Sequence, residues 1–175
     1  MTKRIAVVGG TGNLGAAIAW RLARAGHPVI IGSRKADAAE AKATELGHGL
    51  TGMANADAAA QADIIIVAVP FAAQDATLAD IAPHVAGKIV VDTTVPLVPP
   101  KVMRVQLPAE GSAAPRTPAA LGEGVPVASP FPTVPAHTLA QATDIGCDVP
   151  VFGDDQAARG ALVARAPPVG LRGPH

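Results

Sequence analysis

Ile5-Ala6-Val7-Val8-Gly9-Gly10-Thr11-Gly12-Asn13-Leu14-Gly15 is the stretch that decides how this chain is read. Four consecutive apolar residues ending in glycines are the pattern of a strand buried on both faces of a parallel sheet. Gly10, Gly12 and Gly15 then satisfy G-x-G-x-x-G. By chance that spacing arises roughly 0.2 times in a chain with this much glycine, so its place between a strand and a helix counts for more than the pattern. Past the loop, Leu14, Ile18 and Leu22 recur at helical spacing, Arg21 and Arg24 fall off that stripe, and Gly26 before Pro28 marks a stop.

Working outward, Val29-Ile30-Ile31 reads as a second buried strand, and residues 36–46 as an Ala-rich helix closed by Gly47. A weak strand over 48–54, a short helix over 56–62, a strong strand over 64–69, a helix over 72–82 and a strand over 89–91 complete the alternation. Strands alternating with helices predict an α/β fold, a Rossmann-type doubly wound, mostly parallel sheet. Only three of the seventeen prolines, at 28, 70 and 83, precede residue 96, so the patterned βαβ core is expected over 1–95 and a proline-interrupted half over 96–175. Short strands are expected near 125–128 and 149–152, where Pro126 and Pro150 each threaten a ladder donor. Inside a helix, a proline at 118 is expected to cost about 3 kcal/mol.

The 175 residues fit one domain, 1–175, since domains commonly run to about 100–150 residues. Fourteen Lys and Arg balance fourteen Asp and Glu, leaving no surplus positive charge to displace counterions from a polyanion. With no Tyr, one Trp and three Phe there is also little to build a base-stacking platform, so nucleic acid is not expected as a partner. The apolar runs 5–8 and 64–69 are too short for a secretory core or a bilayer span, so no membrane partner is expected. A single cysteine, Cys147, excludes an internal disulfide and a Cys-rich zinc site and fits a cytoplasmic setting.

A glycine loop opening a helix suits a diphosphate. The unpaired N–H groups and positive dipole of the helix start stabilise the charge, and glycine lets the backbone come close. The candidates are Gly10, Thr11, Gly12, Asn13 and Leu14, against the plain alternative of a tight turn. About 20 residues on, an NAD site carries a carboxylate for the ribose 2′-hydroxyl. Here the second strand ends in Gly32-Ser33-Arg34-Lys35. A hydroxyl with a fork-shaped guanidinium suits a 2′-phosphate, so Ser33, Arg34 and Lys35 point to NADP(H). The alternative is that Arg34 and Lys35 are solvated loop charges. Val69 and Pro70, at the end of the strongest strand, and Val95, in Asp92-Thr93-Thr94-Val95-Pro96, are placed to border the nicotinamide half. Pro70 could equally just start the next helix, and Asp92 could cap a turn or face ligand.

No catalytic acid or base stands out. The loop also resembles that of short-chain dehydrogenases, whose Tyr and Lys pair this tyrosine-free chain cannot supply. Histidines 27, 48, 84, 137 and 175 show no ligand spacing, so no metal is expected. His137 reads as ordinary surface polarity more readily than as a catalyst, Cys147 as core filler, and Asp154-Asp155 as a helix cap. Direct hydride transfer between two bound cofactors needs no protein proton donor, which fits this inventory.

Together with Gly32-Ser33-Arg34, Ala62-Asp63 through Val69-Pro70-Phe71, Asp92-Thr93-Thr94-Val95-Pro96-Leu97, Gly111-Ser112-Ala113-Ala114 and Gly153-Asp154-Asp155, the first stretch resembles the F420-dependent NADP reductase family, in its NADPH-dependent F420 reductase branch. The resemblance implies reversible hydride transfer between NADP(H) and the deazaflavin coenzyme F420, in a Rossmann domain that forms a homodimer. It implies Thr11, Gly12, Asn13 and Leu14 on the diphosphate, Ser33 and Arg34 on the 2′-phosphate, and Val69, Pro70 and Val95 on the nicotinamide half. Two departures bear on turnover. Pro132 stands where relatives carry a polar residue near the deazaflavin, and relatives continue beyond the match to Gly170-Leu171-Arg172 into a helical segment that helps form the second pocket and the dimer contact. The alternative from another class is a non-catalytic NADP(H)-binding protein, a sensor or a decayed relative. A third is reduction of a small imine or keto substrate.

Overall fold

The computed structural model describes residues 3–96, 116–122, 124–130, 135–141, 145–153, 155–164 and 171–172. Strands β1 (Ile5–Val8), β2 (Val29–Ser33), β3 (Thr51–Ala54), β4 (Ile64–Val67) and β5 (Ile89–Asp92) alternate with helices α1 (Asn13–Arg24), α2 (Ala36–Leu46), α3 (Asn55–Gln61) and α4 (Gln74–Ile81). Short 3₁₀ turns at Phe71–Ala73 and Ala82–His84 flank α4. Then come α5 (Arg116–Leu121), β6 (Val127–Pro130), α6 (Ala136–Leu139), β7 (Cys147–Asp148), β8 (Val151–Phe152), α7 (Gln156–Val163) and β9 (Leu171–Arg172). The main sheet has seven strands in the order β3-β2-β1-β4-β5-β6-β8, and β7 pairs with β9 separately. Every main-sheet pair is parallel except β6 with β8. The α/β doubly wound expectation therefore holds.

The apolar runs are unbroken because both faces are covered. Ala6, Val8, Ile30, Ile65, Val67 and Val90 face α3 and α4, where Leu78 and Ile81 meet them. Ile5, Val7, Val29, Ile31, Ile64, Ile66 and Val91 face α1 and α2, packed by Ala19, Leu22, Ala39 and Ala43. Alanine on the helix faces lets helix and sheet approach closely, which is how so little aromatic area suffices. At the far end of the sheet Lys88 Nζ donates to the carbonyls of Ala59 (2.6 Å) and Ala60 (2.8 Å), capping α3. Partial burial holds its pKa below the ordinary 10.5, with the Asp63 carboxylate pulling the other way.

Several expectations shift. Arg21, placed on the polar side of α1, is 7% exposed, because α6 covers that side. Its guanidinium donates to the carbonyls of Leu139 (2.5 Å), Thr138 (3.4 Å) and Gln141 (2.7 Å) at the end of α6. Pro118 is the third residue of α5, within the first turn, where the N–H has no intrahelical acceptor to lose. Pro126 and Pro150 stand just before β6 and β8 rather than inside them, and the Pro126 carbonyl accepts from Val90 N at 2.9 Å. Asp155 caps α7, its side chain accepting from Ala158 N at 2.7 Å. Leu97, Gly111-Ser112-Ala113-Ala114, Pro132, Asp154 and His175 lie outside the described residues. Among the described residues no helix is long and apolar enough to cross a membrane.

Candidate functional site

Register fixes where the candidates meet. Val8 is level with Gly32 on one side and Val67 on the other, and Val67 is level with Asp92. The segments following these residues therefore emerge along one carboxyl edge: Gly9–Leu14 above β1, Ser33–Lys35 above β2, Val69–Pro70 above β4 and Val95 above β5. From β2 to β5 is three strand spacings, roughly 14 Å, so one ligand touching all four segments must lie extended. The chain winds outward in opposite directions from β1 and β4, the switch point at which open α/β sheets bind ligands.

The glycines divide the work. Gly9 has φ +75° and no room for a side chain, since a Cβ would stand 2.5 Å from Val69 Cγ1 and 2.8 Å from the Ala68 carbonyl. A Cβ at Gly10 would stand 2.6 Å from the Val7 carbonyl, and one at Gly15 2.7 Å from the Gly9 carbonyl. Gly12 differs: its φ is −76°, and among the described residues an added Cβ would meet just one atom within 4 Å, the Gly9 carbonyl at 3.6 Å. Among the described residues packing gives no reason for glycine at 12, and the open space there leaves room for a ligand.

The amides divide too. Gly10 N donates to the carbonyls of Val7 (3.1 Å) and Gly32 (2.9 Å), and Gly12 N to that of Gly9 (3.2 Å). Those two glycines hold the loop and leave the donating to their neighbours. The N–H groups of Thr11, Asn13 and Leu14 have no acceptor among the described residues. The first turn of α1 carries no acidic side chain, and Arg21 and Arg24 occupy its last turn. Its positive end is thus open to an anion.

At the end of β2, Ser33 is half-buried and its Oγ accepts from Lys35 N at 3.5 Å, while Arg34 and Lys35 are exposed. The nearest acid in sequence, Asp37, lies in α2 and accepts from Ala38 N at 2.8 Å. A hydroxyl and two cations with no carboxylate at the strand end suit a phosphate better than a ribose diol. Val69 packs directly on Gly9, Pro70 is exposed and opens the 3₁₀ turn, and Val95 is half-buried. The donor set and the open space at Gly12 fit a dinucleotide carrying a third phosphate.

Two buried polar groups support the edge, and the sequence signalled Asp92 as a possible turn cap but held no sign of Asn55. Asn55 is 3% exposed, and its Oδ1 accepts from Gly9 N at 3.4 Å, tying the glycine loop to α3. Asp92 is likewise 3% exposed. Its Oδ1 accepts from Thr94 N at 2.9 Å, and its Oδ2 from Gln74 Nε2 at 2.7 Å and from the Thr117 hydroxyl. Of its two readings, the turn cap is the observed one. Thr93 Oγ1 donates to the Val67 carbonyl at 2.9 Å, locking β5 to β4 at the same level. His137 is exposed on α6. It lines a cavity of about 530 Å³ with Trp20, Lys42 and Glu45 on the flank of α1, which among the candidates takes in only Asn13. No group of metal-ligating side chains occurs among the described residues.

Residues 4–96 match the family model described as NADP oxidoreductase, coenzyme F420-dependent. The F420-dependent NADP reductase of Methanothermobacter thermautotrophicus is 39% identical over 170 residues, covering 90% of this chain and 73% of that protein. Its namesake from Methanocaldococcus jannaschii is 33% identical over 91% of this chain and 77% of its own. A solved structure described as a putative F420-dependent NADP reductase from Arthrobacter superposes with a TM-score of 0.81 at 27% identity, covering 99% of this chain and 84% of that one. With this much of both its length and its relatives' length aligned, the chain belongs to the coenzyme F420-dependent NADP oxidoreductase family.

Proposed function

We propose that this protein is an NADPH-dependent F420 reductase, transferring a hydride between NADP(H) and coenzyme F420. The observation that carries the reading is the row of unpaired amides, phosphate-suited side chains and apolar residues along one sheet edge, in a member of this family. Thr11, Asn13 and Leu14 donate their amides to the diphosphate, and Gly10 and Gly12 keep the loop close to it. Ser33, Arg34 and Lys35 hold the 2′-phosphate. Val69, Pro70 and Val95 wall the nicotinamide half and exclude water from it. Bound together, the two coenzymes would supply the hydride exchange, with the balancing proton drawn from solvent, so no side chain need move one. The contribution of the chain is proximity and orientation, which can lower a barrier by about 7–11 kcal/mol.

The balanced charge and single cysteine support a cytoplasmic enzyme with small-molecule partners and no nucleic acid. The family resemblance supports a homodimer. Mixing protein, NADPH and F420 and following the deazaflavin absorbance tests the reaction, with bleaching as the expected result. NADPH binding without any absorbance change would replace it with the non-catalytic alternative.

A further inference from the structure

Phe71 follows Pro70 directly and opens the 3₁₀ turn above β4. The guanidinium of Arg116 lies over its ring, with Cζ 5.1 Å from the centroid. Arg116 is the first residue of α5, and the next residue, Thr117, donates to Asp92 at the end of β5. Two independent contacts therefore fix this cation at the same carboxyl edge as the coenzyme row. Its Nη2 also lies 3.5 Å from Asp75 Oδ2, and the two side chains are 27% and 70% exposed. Stacking on the ring restricts the orientations of the guanidinium, while its exposure leaves it accessible to a ligand. With the Asp75 carboxylate 70% exposed, an incoming anion can compete with it for the guanidinium.

The phosphates of NADP(H) are accounted for elsewhere, above β1 and β2, whereas Arg116 stands above β4 and β5. The other coenzyme carries its own anions, since beyond its ring F420 has a side arm with a phosphodiester and terminal carboxylates. We infer that Arg116, stacked on Phe71, receives the anionic side arm of F420, with Asp75 as an internal competitor for its charge. This rests on the F420 reading above.

The test uses the full chain, with F420 and with Fo, the same deazaflavin ring lacking the anionic arm. Binding is read by deazaflavin fluorescence in the presence of NADP⁺, and hydride transfer is followed separately. Arg116→Met keeps an aliphatic stem on Phe71 and removes the charge. It should weaken F420 about tenfold, the scale of one charge-assisted hydrogen bond, while leaving Fo and NADPH within about twofold. Asp75→Asn should tighten F420 by roughly two- to threefold. Equal weakening of F420 and Fo by Arg116→Met would make the residue a support for the ring or the fold and overturn the inference. So would Asp75→Asn acting in the same direction as Arg116→Met. Binding of F420 without hydride transfer would refute the proposed reaction while leaving the F420-to-Fo comparison readable, and binding of neither would overturn both.

Discussion

Replacing Gly12 and Gly15 by alanine, one at a time, separates binding from folding within a single turn of helix. At Gly12 the backbone is in a conformation open to any residue, and the new methyl would have one ordinary contact, 3.6 Å from the Gly9 carbonyl. Losing glycine as the N-cap costs roughly 0.5–1 kcal/mol, and stiffening the unfolded chain returns a similar amount. The expected change in Tm is about 2 °C or less. The methyl does occupy space beside the unpaired amides of Thr11, Asn13 and Leu14. Moving a diphosphate out of reach of one such donor forfeits about 1.5–3 kcal/mol, so NADPH affinity should fall about 10- to 100-fold. At Gly15 the methyl would stand 2.7 Å from the Gly9 carbonyl and 2.8 Å from Gly10 Cα, both backbone atoms that cannot turn aside. Overpacking of that kind costs about 1–3 kcal/mol, a fall in Tm of roughly 2–12 °C in a chain of this size. Thermal unfolding of the apoprotein and NADPH titration read the two quantities. Gly12→Ala with native affinity, or Gly15→Ala with native Tm, would refute the division of labour.

Arg34→Ala should shrink the preference for NADPH over NADH about 10- to 100-fold, the range for a guanidinium–phosphate pair, as read by parallel titrations. Equal affinities in the unmodified protein would remove the 2′-phosphate assignment altogether. Asp92→Ala leaves Thr94 N and Gln74 Nε2 without their acceptor in a buried setting and should cost roughly 3 kcal/mol in urea unfolding; a loss below about 1 kcal/mol would mean that water replaces the carboxylate. Lys88 carries a pH signature, because burial lowers its pKa in the folded state below the unfolded 10.5. The penalty on its charged form is fully present below the folded pKa. It is relieved as pH rises from there towards 10.5, so stability should climb relative to Lys88→Met over that alkaline window. Parallel slopes for the two proteins would contradict this.

The first half was legible because its signals agree with one another. Ile5–Val8 and Ile64–Val67 are apolar without alternation because helices cover both faces, and α2 ends at Leu46 because Gly47 takes φ +70°. The edge row followed from the parallel order alone. Arg21 was misplaced because helical periodicity reports the largest apolar stripe and not a second neighbour; α6, over a hundred residues away in sequence, satisfies its guanidinium with carbonyl oxygens. Asn55 was illegible as a support for the same reason, and of Asp92 the turn cap was legible but not its partners on α4 and α5, since nothing local distinguishes a buried acceptor from an exposed turn residue. The prolines misled in the opposite sense. Pro118 and Pro126 sit one to three residues from positions where they would do harm, and propensity alone cannot resolve that difference.

Those buried supports matter if the proposed hydride transfer runs without a protein acid or base. If the rate depends on bringing two rings into register, it is sensitive to whatever fixes the loops as well as to the residues that touch the coenzymes. Each loop of the edge row with a visible anchor is held from a helix or a neighbouring strand. Asn55 of α3 holds Gly9, Gln74 of α4 and Thr117 of α5 hold Asp92, and the Val67 carbonyl holds Thr93. All three helices lie on the α3–α4 face of the sheet, against which the candidate contact Val69 also packs. The anchors Asn55, Gln74 and Thr117 are themselves buried, so hydride transfer should respond to substitutions at residues that need not touch either coenzyme.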